Sequence, residues 1–383
     1  MLRGILCKLI MNEIFLIKQN NYSQSEIDNA ILRAFNHFGG IKKFINKNEK
    51  VLLKVNLVAG HAPEKRISTD PSIVKSVAKL VLDLGAKPFI ADSPGIDNFS
   101  RASEKAGFKK IADELNIPCH ELDNPVEVPH VEGVNFNKIK ISQHALNADK
   151  IINLPKMKTH GQMLLTLGVK NLFGCIPGKL KASWHYNVGL NRVKFASLLL
   201  DLNKIIKPSI TILDGVIGMH GDGPTSGEPY NYGLIAATTN PLKMDFHLCK
   251  MMGANLNDYP LWLAAKEQNL PECNINPQDL EGDFNSDFVF EGVEIPKTKS
   301  MRLIPNIPFL ERLMTSKPVH IPEKCIGCGR CQEVCAAHAL KHENKKLFFD
   351  YSKCIRCYCC HEMCPVKAIK FHESFLLKLL AKF

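Results

Sequence analysis

Eight cysteines near the C-terminus repeat one spacing: Cys325, Cys328, Cys331 and Cys335, then Cys354, Cys357, Cys360 and Cys364, each run reading C-x2-C-x2-C-x3-C. A tight loop with cysteines three apart can aim three thiolates at one four-iron cubane, so the fourth must come from elsewhere. A tetrahedral zinc site would use two short C-x2-C pairs and leave the third cysteine of each run idle. Disulfides need an oxidising compartment. The opening MLRGILCKLIM is shorter than a secretory signal and lacks a small-residue cleavage site, so a start misassigned upstream of Met11 is the simpler reading. The expectation is two 4Fe-4S clusters in a reducing, cytoplasmic setting. Cys359 falls outside the pattern and reads as a small buried thiol beside the cluster.

The paired runs resemble the module of bacterial two-cluster ferredoxins, which would occupy residues 318–372. In that family the fourth ligand crosses over. The resemblance therefore implies one cluster on Cys325, Cys328, Cys331 and Cys364 and a second on Cys354, Cys357, Cys360 and Cys335. The first run ends Cys335-Ala336 where the family carries a proline, while the second keeps Cys364-Pro365.

The remainder is ordinary globular sequence. At 383 residues, 45% hydrophobic and 23% charged, the chain is long enough for two or three domains. No apolar run reaches the length of a membrane span. A short apolar run VLLKVNLV precedes PSIVKSVAKLVLDLG, whose periodicity predicts a helix capped by Ser68, Thr69 or Asp70 and ended by Gly85. Further strands are expected at PFIADSP, KIKIS, DKIINLP, SITILDGVIG and YGLIAATT, with a helix around RASEKAGFKKIADELN. Strands separated by helices imply an α/β body with a mostly parallel sheet, whose ligands sit at strand carboxyl ends. Asn56, Asp92, Lys156 and Asp214 fall at such ends. Residues 256–317 read as an acidic, proline-broken connector, and 373–383 as a short amphipathic tail that docks back on the body or touches a membrane surface.

The net charge of +11 invites acidic partners without choosing among them. It is concentrated oddly: residues 151–200 hold Lys156, Lys158, Lys170, Lys179, Lys181, Arg192 and Lys194, with His160 and His185, and no Asp or Glu. Solvated faces mix signs, so lysines on glycine- and proline-broken loops point to a pocket for an anion. A basic surface patch without a specific ligand is the plainer alternative. LDGVIGMHGDGPTSGEP adds Asp214, His220, Asp222 and five glycines, enough for a metal or acid–base site or for turn chemistry alone. Nucleic acid is disfavoured, because aromatic content is only 8% and no stacking platform accompanies the charge.

In order, VLLKVNLV, STDPSIVKSVAKLVLDLGA, IADSPG, INLPKMKTH, LGVKNLFGCIPG, ILDGVIGMHGDGP and NPLKMDFHLCKMMG resemble the DUF362 family, whose longer members end in this ferredoxin module. The body would span residues 11–255. The resemblance implies iron–sulfur binding and presumed redox function, and it marks Lys54, Asn56, Lys156, Lys158, His160, Lys170, Asn171, Asp214, Asp222 and Asp245 as a shared pocket, which Lys179 would join from its loop. Two expectations follow. In one, electrons pass through the clusters to or from an anionic substrate or partner cofactor in the body, as in an iron–sulfur oxidoreductase or reductive activator; in the other, the chain is a carrier whose body only selects a redox protein.

Overall fold

The computed structural model describes residues 13–95, 97–178, 180–189, 191–296, 316–343 and 346–372. The N-terminal start, Lys179, the last part of the connector and the amphipathic tail lie outside the described residues. Eleven described strands form one sheet, ordered along its main path Leu280–Gly282, Ile14–Lys18, Leu234–Thr238, Ile210–His220, Lys150–Asn153, Lys50–Lys54, Lys87–Asp92 and Cys119–Glu121. Pairing is parallel from Ile210–His220 out to Cys119–Glu121, and antiparallel on both sides of Leu234–Thr238.

Residue alternation explains why both faces are covered. Leu52 and Leu16 enter one apolar core with Leu198, Phe246 and Trp262, while their neighbours Val51, Leu53 and Ile17 enter another with Phe35, Val74 and Phe108. Successive strand side chains point to opposite faces, so a central strand must be apolar at every position, as VLL is. The helix Pro71–Asp83 closes one face with Ile73, Val74, Val77, Ala78 and Val81 buried. Asp70 caps it by accepting the Ser72 N–H at 3.0 Å, Pro71 fills its first position, and Gly85 ends it at φ +81°. The helix expected near 101–116 is two, Phe99–Lys105 and Phe108–Leu115. Gly107, at φ +82° and tight against Pro71, makes the break.

The segment after residue 255 contributes to the body as well as connecting. Its helix Pro260–Glu267 packs against Arg192–Ile206, and Leu280–Gly282 pairs parallel with Ile14–Lys18. An eight-residue helix and a three-residue strand are too short to leave a clear periodic signature.

One irregularity positions the site. After Asn153 the chain turns through Leu154 and Pro155 and resumes as Lys156–His160, which pairs with the outer half of Ile210–His220 across a register shift between Asp214 and Met219. This carries Lys156, Lys158 and His160 beyond the carboxyl end of Lys50–Lys54. There His160 meets the C-terminal module, in which Lys317–His320 pairs with Ile369–His372 and Leu340–Glu343 with Lys346–Phe349, both antiparallel. One-turn helices Arg330–Glu333 and Cys359–Glu362 pack between them.

Candidate functional site

Within the module the cysteines gather around two small voids. Cys325, Cys328, Cys331 and Cys364 line one; Cys335, Cys354, Cys357 and Cys360 line the other, with Cys359 beside them. The two cysteines that cross between runs are held alike: the Ala339 N–H donates to Cys335 Sγ at 3.2 Å, and the Ala368 N–H to Cys364 Sγ at 3.1 Å. Among the described residues no three His, Cys, Asp or Glu side chains converge tightly enough for a single ion. Thiols spaced around a void are instead the donor set that a multi-iron cluster takes.

The body side begins with two ion pairs buried in the sheet. Lys54 Nζ meets Asp92 Oδ1 at 2.8 Å, and Asp92 also accepts the Leu57 and Ser93 N–H groups at 2.6 and 2.7 Å. A side chain at Gly174 would collide with both partners, so only glycine fits over the pair. Lys156 Nζ meets Asp214 Oδ2 at 2.7 Å, and Asp214 further accepts the Tyr22 hydroxyl at 2.9 Å and the Asp70 N–H at 2.8 Å. Burial, with Asp214 beside it, drives the Tyr22 hydroxyl pKa far upward. The carboxylates come from other strands, so Lys156, within the acid-free stretch 151–200, is compensated across the sheet. Lys54 is thereby committed to Asp92, and Lys156 to Asp214.

Lys158 differs. Its Nζ donates to Asn56 Oδ1 at 2.8 Å and to the Ile67 carbonyl at 2.7 Å, both neutral acceptors. Burial, then Lys170 and Lys156, pull its pKa down to about 7. Asn56 in turn donates to Asn171 Oδ1 at 2.9 Å, and Asn171 to Asn153 Oδ1 at 2.9 Å. His160 Nδ1 accepts the Gln162 and Met163 N–H groups at 3.1 and 3.2 Å, which leaves the proton on Nε2, 3.2 Å from Glu362 Oε1. Burial first, and Lys170 next, hold His160 well below the usual imidazole range. Asp245 accepts the Gly168 and Val169 N–H groups at 2.8 and 2.9 Å and fixes the short helix Gly168–Asn171.

Between body and module lies a chamber of about 560 Å³. Of the residues expected from sequence, Asn56, Lys170 and Asn171 line it; Lys54, Lys156, Lys158, His160, Asp214, Asp222 and Asp245 do not. Lys181 and His185, which the acid-free stretch included, line it too, and Thr166 and Glu362 join them without having been singled out from sequence. Nothing in the sequence distinguishes Glu362, which reaches the chamber only because its one-turn helix docks there. Cys335 and Cys359 form part of the same wall, so the second cysteine set adjoins the chamber. The first set opens outward, with Cys328 exposed and Ile326 58% exposed.

His185 stacks on Phe195 at 4.4 Å between centroids, and burial followed by Lys170 pushes its pKa down to about 3. The folded chain thus keeps His185 neutral while the unfolded chain protonates it near its ordinary value. Stability contributed this way is present above about pH 6.5 and is lost as pH falls toward 3. Chemical unfolding at pH 5 and 7 should show a shallower pH slope for His185→Phe than for the parent; equal slopes would contradict the assignment.

Comparison with known proteins places these features. Residues 51–250 match the family described as a domain of unknown function, DUF362, and residues 317–365 match a 4Fe-4S dicluster domain. A thylakoid-associated protein of Synechocystis is 34% identical over 275 residues, covering 72% of this chain and 84% of that protein. The lactate racemase apoprotein of Thermoanaerobacterium thermosaccharolyticum superposes with a TM-score of 0.38 at 13% identity, over 60% of this chain and 55% of that one. No helix among the described residues is long and apolar enough to cross a membrane.

Proposed function

The chain belongs to the DUF362 family and ends in a 4Fe-4S dicluster module, and from that premise we propose that it carries electrons between a redox protein and an anionic molecule held in the chamber. Cys325, Cys328, Cys331 and Cys364 would hold one cluster, and Cys354, Cys357, Cys360 and Cys335 the other. When bound, such clusters supply one electron each at potentials set by their surroundings. The observation that carries the reading is the shared wall: buried cations of the body and Cys335 and Cys359 of the module enclose the same space.

The residues have separable tasks. The Lys54–Asp92 and Lys156–Asp214 pairs brace the strand ends. Lys158 and the Asn56–Asn171–Asn153 chain hold the floor in register. His160 and the Thr225 hydroxyl, which donates to the Glu362 carbonyl at 2.6 Å, clamp the helix Cys359–Glu362 onto the body. Arg330–Asp97 at 3.0 Å and Lys367–Glu228 at 2.9 Å add docking contacts nearer the surface. Together these contacts hold the module against the body beside the chamber.

Electron paramagnetic resonance of the dithionite-reduced protein tests this. Adding benzoate, inorganic phosphate or a nucleoside monophosphate should perturb one of two cluster signals, and Lys170→Ala should abolish the response. If no anion perturbs either signal while a partner protein still reoxidises the clusters, the body only selects partners and the chain is a plain carrier.

A further inference from the structure

Among the described residues, three polar atoms on the chamber wall have no hydrogen-bond partner. Lys181 Nζ, His185 Nδ1 and Thr166 Oγ1 are each buried from solvent and make no hydrogen bond, and all three residues line the same space. His185 is 8% exposed and Thr166 4%. An orphaned buried polar group costs about 1–3 kcal/mol, so three facing one chamber mark a site built for a ligand that supplies the missing bonds.

The charges lining the chamber select the ligand. Lys170 lines it together with two carboxylates, Glu333 and Glu362, so both signs are present on the wall. Asp92 also lines it, but Lys54 and two backbone N–H groups already occupy its oxygens. Asp92 and, from outside the lining, Glu121 act on Lys181 only through space, and burial still draws the lysine down to about 8. Among the described residues, Lys181 Nζ is buried on this wall with no hydrogen-bond acceptor. A single negative charge completes it, whereas a phosphate monoester, mostly dianionic near neutral pH, would bring a second charge toward the Asp92, Glu333 and Glu362 carboxylates on the same wall. The rest of the wall includes Leu57, Val58, Phe173, Val334 and Met363, so the ligand's body is organic and apolar. The volume lies in the range of small-molecule sites.

Building on the functional reading above, we propose that the chamber binds a small organic monocarboxylate, its carboxylate on Lys181 and its remaining polar groups on His185 and Thr166. Isothermal titration of the cluster-loaded full chain with benzoate, phenyl phosphate and inorganic phosphate tests the class. Benzoate should bind more tightly than either phosphate. Lys181→Gln should weaken it about 10- to 100-fold, the loss expected for one hydrogen bond to a charged group. Thr166→Val should weaken it less, and iron content should stay at the parent value in both variants. Equal or tighter binding of phenyl phosphate, or unchanged benzoate affinity in Lys181→Gln, overturns the proposal. Failure here is separable from failure of the electron-transfer reading: phosphate that binds and perturbs a cluster signal removes only the carboxylate assignment. Benzoate that binds through Lys181 without touching either signal removes only the electron-transfer reading.

Discussion

Protein reconstituted without oxygen is expected to hold about eight irons and eight acid-labile sulfides per chain, and the crossed ligand sets make the pattern of loss diagnostic. Cys335→Ser and Cys354→Ser strike the same proposed cluster, so the double variant should keep about four irons, as each single variant does. Cys335→Ser with Cys325→Ser strikes both, and the iron should fall to near zero. If each run held its own cluster, the two double variants would exchange behaviours. Cys359→Ala should retain the parent's iron, because Cys359 borders a void that Cys335, Cys354, Cys357 and Cys360 already line. Zinc in place of iron would sink the assignment altogether. Iron and sulfide analysis of the purified variants reads each outcome.

The second large effect is expected at Lys156. Lys156→Met strands Asp214 in a fully buried position, with the Tyr22 hydroxyl and the Asp70 and Val216 N–H groups as remaining donors. Breaking a buried pair from one side costs about 3–5 kcal/mol, whereas replacing both charges costs far less. Lys156→Met should therefore lower the Tm by roughly 10 °C, and adding Asp214→Asn should recover much of the loss. Thermal unfolding followed by circular dichroism checks this. A single variant as stable as the parent would show that the pair does not hold the strand ends together.

Much of this architecture is legible in the chain because it rests on local rules. The cap at Asp70, the glycine stop at Gly85 and the apolar runs at VLL and DKIIN are short-range signals, and the helix Pro71–Asp83 and its neighbouring strands follow them. Gly107 broke one expected helix into two for a reason outside its own segment, the close approach of Pro71. The segment 256–296 added a helix and a sheet strand that only packing stabilises.

The candidate site divides the same way. Cysteine spacing alone pointed to thiolate clusters, because three ligands of a cubane come from one tight loop and a periodic run of thiols has few other uses. The acid-free stretch likewise marked where positive charge collects. Which lysines remain free was decided only by tertiary structure. Asp92 and Asp214 arrive from other strands and neutralise Lys54 and Lys156, while Lys181 reaches the chamber with no acceptor. Glu362 comes from the far end of the chain to face His160 and Lys170. Charge compensation acts through space over a few ångströms, between groups such as Arg330 and Asp97 that lie far apart in the chain. A sequence records which charges exist; the fold decides which of them meet.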